Sequence, residues 1–145
     1  MRLWHYELIS YLPNKQLLAQ WRELNSIFKK QDKHILINYV YEYEKENLFN
    51  YSLLVIFEMK KRNFKITSYV NFCNYFNINI FEESVLVRFD YNPFPRHHNF
   101  RYLQQCYFNL EEKYDRGQKD FTAEQFNKLQ DFFNKEYLKY LKGGK

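Results

Sequence analysis

Three Gly and three Pro in 145 residues leave no room for long flexible linkers. One domain over residues 1–145 is therefore expected, long enough to bury a real core. Long apolar runs are missing too. The longest, Leu53 to Phe57, is far below the roughly 20 residues that cross a bilayer, and no apolar leader opens the chain. Neither membrane insertion nor secretion is expected. Cysteine is scarce: Cys73 and Cys106 form neither a disulfide framework nor a metal-ligand spacing, which suits reduced thiols in the cytoplasm. Glycine-rich phosphate loops, zinc-ligand spacings and nucleophile elbows are absent. The expectation is chemistry with no metal and no organic cofactor.

What is abundant is basic and aromatic. Lys and Arg number 22 against 17 Asp and Glu, for a net charge of +5, beside 14 Tyr and 15 Phe. A basic surface suits a polyanion, because phosphate contacts release counterions. Lys (15) exceeds Arg (7), and Asn (15) is also frequent; AT-rich codon usage gives the same bias. The charge alone does not decide between a nucleic acid partner and a helical interaction protein.

Hydrophobic periodicity predicts an all-α fold, an irregular bundle of about four helices with an irregular middle segment. After Pro13, with Asn14 as cap, a first helix is expected from about Lys15 to Lys30. Leu17, Trp21, Leu24 and Phe28 form its apolar face; Gln16, Gln20, Glu23 and Lys30 form a polar side. Residues 31 to 46 read as a loop with extended character. Asn47 is expected to cap a second, central helix that ends in Lys60-Lys61-Arg62, with Asn63 left-handed. Thr67 starts a short helix through Tyr75, and Ile78 to Phe89 reads as extended or irregular. A helix from about His98 to Tyr114 turns Leu103, Cys106, Tyr107 and Leu110 inward. Arg116-Gly117 breaks the chain. Thr122 with Gln125 makes a capping box, and Phe121 with Phe126 a hydrophobic staple, for a last helix before Gly143.

Two clusters invite a chemical reading. His97-His98 suggests a metal, but adjacent side chains do not share a helix face and no acid completes the set; a partly exposed helix start accounts for the pair. The first helix offers more. Arg22 and Glu23 stand near Lys15, Gln16, Lys29, Lys30, Lys33 and His34. Taken alone, Glu23 reads as a solvated helix acid and the cations as phosphate contacts. At the C-terminus, Tyr137, Lys139, Tyr140 and Lys142 read as a frayed helix end, or as stacking and phosphate groups.

The segment Gln16-Leu17-Leu18-Ala19-Gln20-Trp21-Arg22-Glu23-Leu24 resembles the first-helix motif of the pyrimidine-dimer DNA glycosylases of the endonuclease V type. Met1-Arg2-Leu3-Trp4-His5, Leu8-Ile9, Tyr11-Leu12-Pro13, Lys33-His34, Asn38-Tyr39-Val40 and Glu58-Met59-Lys60-Lys61-Arg62 resemble the same family. So do Phe94-Pro95, His98-Asn99 and Tyr102-Leu103-Gln104-Gln105-Cys106.

The resemblance implies a cytoplasmic, monomeric DNA repair enzyme, a glycosylase and abasic-site lyase that kinks damaged double-stranded DNA and works through an amine–sugar imine. It implies Glu23 as the catalytic acid and Arg22 as a DNA-contacting arginine, with Lys15, Gln16, Lys29, Lys30, Lys33 and His34 as further DNA contacts. The family's attacking group is a terminal amine. Arg2 is too large to favour removal of Met1, so the amine expected here is that of Met1, with Lys15 or Lys33 as alternatives. Ser26 stands where the phage prototype has a second arginine, which leaves backbone clamping to Lys29 and Lys30. A non-catalytic DNA-binding module on the same scaffold is the other reading.

Overall fold

The computed structural model describes residues 2–79, 81 and 87–143, and among them are five α-helices and two 3-10 helices, with no strand. The all-α expectation stands; the count of about four is corrected. The 3-10 helices are Tyr6–Tyr11 and Asn38–Glu42, and the α-helices are α1 Asn14–Lys30, α2 Lys45–Lys61, α3 Val70–Phe76, α4 Phe100–Asp115 and α5 Ala123–Leu141. Among the described residues, no helix is long and apolar enough to cross a membrane.

The start of α1 differs from expectation. Pro13 occupies the cap position and makes no side-chain cap bond. The Lys15 N–H is instead met by Asp120 Oδ2 at 2.8 Å, from the α4–α5 connection. Asn14 Oδ1 accepts from Arg62 at 2.9 Å. A cap supplied from 105 residues away leaves no local sequence signal.

α2 is the central helix, as its nearly continuous apolarity predicts: Leu48, Tyr51, Leu53, Leu54, Val55, Ile56 and Met59 are buried. It begins two residues before Asn47, which is therefore not its cap. The Asn47 amide donates to Pro93 O at 2.7 Å, tying α2 to the loop ahead of α4. Asn63 is left-handed, with φ 65°. Around it the Phe64 N–H bonds Met59 O at 2.9 Å and the Asn63 N–H bonds Lys60 O at 2.9 Å, the paired closure of a Schellman end.

Residues 31 to 46 are only partly extended: a turn at 35–37 runs into the second 3-10 helix, Tyr43 and Glu44 are extended, and α2 already begins at Lys45. The short helix expected at Thr67 begins at Val70 as α3. Of the irregular stretch from Ile78 to Phe89, residues 80 and 82–86 lie outside the described residues. α4 starts at Phe100, capped by Asn99 Oδ1, which accepts from the Tyr102 N–H at 3.0 Å. Its four predicted core residues are all buried. The capping box of α5 is formed by Thr122 and Gln125, and the Phe121 and Phe126 rings lie 5.9 Å apart.

α1 packs on α2 and α3, and α4 pairs with α5. The first 3-10 helix touches α2, α4 and α5. The residues just before it, Leu3, Trp4 and His5, are buried. That burial brings the beginning of the chain against α1.

Candidate active site

The buried stripe of α1 comprises Gln16, Leu17, Gln20, Leu24, Ile27 and Phe28. At 3.6 residues per turn, Gln16 and Gln20 share an edge of the helix with Leu24 and Ile27, so both glutamines turn inward rather than onto a polar face. Trp21 and Glu23 fall on opposite rims of that stripe. Glu23 is consequently half-buried.

Gln20 is fully enclosed, and its amide uses its whole hydrogen-bonding capacity. Its Oε1 accepts from the Trp4 N–H at 2.7 Å and from the Tyr51 hydroxyl at 2.8 Å. Its Nε2 donates to Arg2 O at 3.0 Å and to Glu23 Oε1 at 3.2 Å. The Tyr51 hydroxyl also lies 2.6 Å from Trp4 O, so its one proton is shared between two acceptors. Tyr102 on α4 donates to Leu3 O at 2.5 Å. Residues 2–4 are thus fastened by side chains of three helices, and the fastening runs through Gln20 to Glu23.

Burial raises the Glu23 carboxyl above the usual carboxylate range. A hydrogen bond to the backbone of Arg2 and the charges of Arg22 and His34 oppose the shift. Glu23 lies on a cleft of about 370 Å³ that Arg2, Trp4, Leu36 and Lys113 also line. A carboxyl with raised pKa, held at its oxygen and facing an open cleft, is suited to moving protons. Residues 1–71 match the family of pyrimidine dimer DNA glycosylases. No curated protein and no solved structure matches the chain.

The glycosylase-family segment carries α1, α2 and the anchored start of the chain, whereas Lys113 and Tyr102 lie beyond it. Of the residues singled out in the sequence, Arg22, Lys15 and Lys29 are exposed and recur every seven positions, which sets them along the outer face of α1. Lys30, Lys33 and His34 are exposed as well, with Lys33 Nζ 4.8 Å from the centre of the Tyr41 ring.

Three readings change. Gln16 is buried rather than on an exposed polar face and accepts from Gln118 at 2.8 Å, yet it lines the Glu23 cleft. Lys15 lies eight residues before Glu23, about 12 Å along the helix axis, and is not brought to the acid. Met1 lies outside the described residues; its covalent neighbour Arg2 is at Glu23. The C-terminal residues are not frayed. α5 continues through Leu141, and Tyr140 stacks on Phe100 at 4.3 Å.

The sequence reading missed Gln20 as the keystone, Tyr51 and Tyr102 as clamps, and Lys113 on the cleft. Only Gln20, three residues before Glu23 on the same helix edge, had a local signal. His98 is corrected too. It is buried, not a partly exposed helix start. Its Nδ1 accepts from the Tyr6 N–H at 3.0 Å, leaving Nε2 to donate to the Tyr39 hydroxyl at 2.6 Å. His5 Nδ1 accepts from the Glu7 N–H at 3.2 Å, leaving Nε2 to donate to His98 O at 3.1 Å. Both imidazoles are therefore neutral, with tautomers fixed by these bonds. His97 Nδ1 lies 2.9 Å from the Tyr43 hydroxyl, in hydrogen-bond contact. Among the described residues, no group of three His, Cys, Asp or Glu side chains is arranged to hold a metal ion.

Proposed function

We propose that the chain is a DNA glycosylase with abasic-site lyase activity, acting on pyrimidine dimers in duplex DNA. One observation supports this most: a half-buried carboxyl of raised pKa, fixed through Gln20 to the start of the chain, on a cleft beside an outer row of cations. In this reading Lys15, Arg22 and Lys29, with Lys30, Lys33 and His34, engage the phosphates. Arg22 suits that role through its rigid fork of donors.

The α-amine of Met1 is the proposed nucleophile. An α-amine has an ordinary pKa of about 7.7–8.0 against about 10.4 for lysine, so far more of it is unprotonated at neutral pH. Its lone pair forms the bond to the sugar C1′ as the C1′–N bond to the pyrimidine breaks. Glu23 stabilises the positive charge that develops on the sugar. The Glu23 carboxylate takes one proton from the new ammonium and passes it to O4′ as the C1′–O4′ bond breaks, leaving a protonated imine on the ring-opened sugar. The departing pyrimidine nitrogen takes a proton from water. The Glu23 carboxylate takes a proton from C2′, and the C3′–O bond breaks with the phosphate as leaving group. Lys113 is the competing amine, because it lines the same cleft.

Borohydride reduction in the presence of duplex DNA containing an abasic site tests this reading. A covalent protein–DNA adduct is expected, and peptide mapping identifies the attached nitrogen. Tight, salt-sensitive DNA binding with no adduct favours the non-catalytic module instead, since phosphate contacts weaken as salt rises.

A further inference from the structure

The turn between α1 and the second 3-10 helix presents an unusual side chain. Ile35 is 87% exposed, the most exposed large apolar side chain among the described residues, and Leu36 beside it is 43% exposed. A lone exposed aliphatic group means little. Three further observations set this one apart.

The turn is held at both ends. The His34 N–H bonds Asn38 Oδ1 at 2.8 Å, and the Leu36 N–H bonds His34 Nδ1 at 3.2 Å. The Ile37 and Asn38 N–H groups both bond His34 O at 2.8 Å. Asp32 O accepts from the Tyr41 hydroxyl at 2.5 Å, and Ile37 is fully buried. The tip therefore projects from a fixed base. Its position is also specific, since Leu36 lines the cleft with Glu23 and Arg2. Finally, exposed cations precede it: Lys29, Lys30 and Lys33.

An aliphatic tip among cations is complementary to a base stack flanked by phosphates. The cations meet the backbone, and the tip finds the apolar faces between bases. We propose, resting on the DNA-lesion reading of the Glu23 cleft, that Ile35, backed by Leu36, is a wedge. It enters the stack of the bound duplex beside the lesion and holds that step open against the Glu23 cleft. A damaged step is the cheapest place to enter, because its stacking is already weakened.

The probe is a duplex carrying a tetrahydrofuran abasic analogue next to 2-aminopurine, whose fluorescence rises on unstacking, together with a cleavable abasic duplex. The parent is expected to raise the fluorescence on binding. Ile35→Ser, at a site too exposed to disturb folding, should bind within about twofold of the parent, lose that rise, and cleave about tenfold more slowly or worse. Ile35→Leu should restore both readouts. Ile35→Lys should bind more tightly without restoring the fluorescence, which separates a wedge from a phosphate contact. Parent-like fluorescence and cleavage by Ile35→Ser would overturn the wedge and leave the glycosylase reading intact. Unstacking by a parent that forms no imine and cuts nothing would support the wedge and overturn the glycosylase reading. Failure of the parent to bind the duplex would overturn both.

Discussion

The two ends of the chain are held by different physics. The α4–α5 hairpin is an aromatic laminate: Tyr107 stacks on Phe133 at 4.1 Å, Tyr114 on Phe126 at 4.3 Å, and Phe100 on Tyr140 at 4.3 Å. The start of the chain is held by directional bonds to Gln20, Tyr51 and Tyr102 in the interior. Apolar stacking is tolerant of change, because any side chain of similar volume recovers most of the burial. A buried polar network is not, because removing one partner strands another without water. The demanding kind of packing is the one that positions Glu23. The α4–α5 laminate lies outside the segment that matches the family.

The comparison breaks most visibly at Glu23 itself. Glu23→Gln should slow strand cleavage by about 10²- to 10⁴-fold, the usual worth of a positioned acid or base, while DNA binding changes little. The same substitution should raise the melting temperature. A carboxyl whose folded pKa lies above its unfolded value destabilises the fold as pH rises through that range, and burial is the leading cause of the shift here. Parallel cleavage assays and melting curves near neutral pH check both statements. Cleavage at the parental rate would remove Glu23 from the chemistry.

Paired substitutions then sharpen the contrast. Tyr51→Phe deletes one hydroxyl and leaves Trp4 O and Gln20 Oε1 short of a donor, at about 1–3 kcal/mol. Phe133→Leu in the laminate should cost about 1.5 kcal/mol or less, since neighbours can close around it. Urea unfolding reads these costs. Cleavage measured where both variants are fully folded reads the function: Tyr51→Phe should slow it, and Phe133→Leu should leave it at the parental rate. The opposite pattern would mean that the polar clamp does not position the site.

The same contrast explains what was legible in the sequence. The laminate announces itself locally, through Thr122 and Gln125 and through aromatic residues at helical spacing. Schellman closure at Asn63 and the inward residues of α4 are equally local. Glu23 is singled out only by family resemblance, because helix periodicity alone makes it an ordinary rim acid. Gln16 and Gln20 were misread because polar residues default to solvent, and only their distant partners, Gln118 and the backbone of residues 2–4, reverse that. The Asp120 cap on α1 and Lys113 on the cleft come from far along the chain, where no window of sequence sees them.

The smallest expected effect belongs to the histidines beside the polar clamp. Burial pushes His5 down to about 4 from an ordinary 6.5, against the pull of the His98 and Asn99 backbone groups. Burial lowers His98 as well, with the charges of His5 and His97 adding to it. A histidine with a depressed folded pKa takes up its proton in the unfolded chain first. Its stabilising contribution is therefore present above pH 6.5 and is lost as pH falls toward 4. Between pH 7 and 5.5, above the range where ordinary carboxylates protonate, His5 alone should remove about 1 kcal/mol. Urea midpoints across that interval measure it. His5→Asn, which keeps an acceptor for the Glu7 N–H, should lessen the dependence by the His5 share and leave that of His98. An equal slope in parent and variant would mean that the neutral imidazole of His5 contributes nothing to the pH response of this end of the molecule.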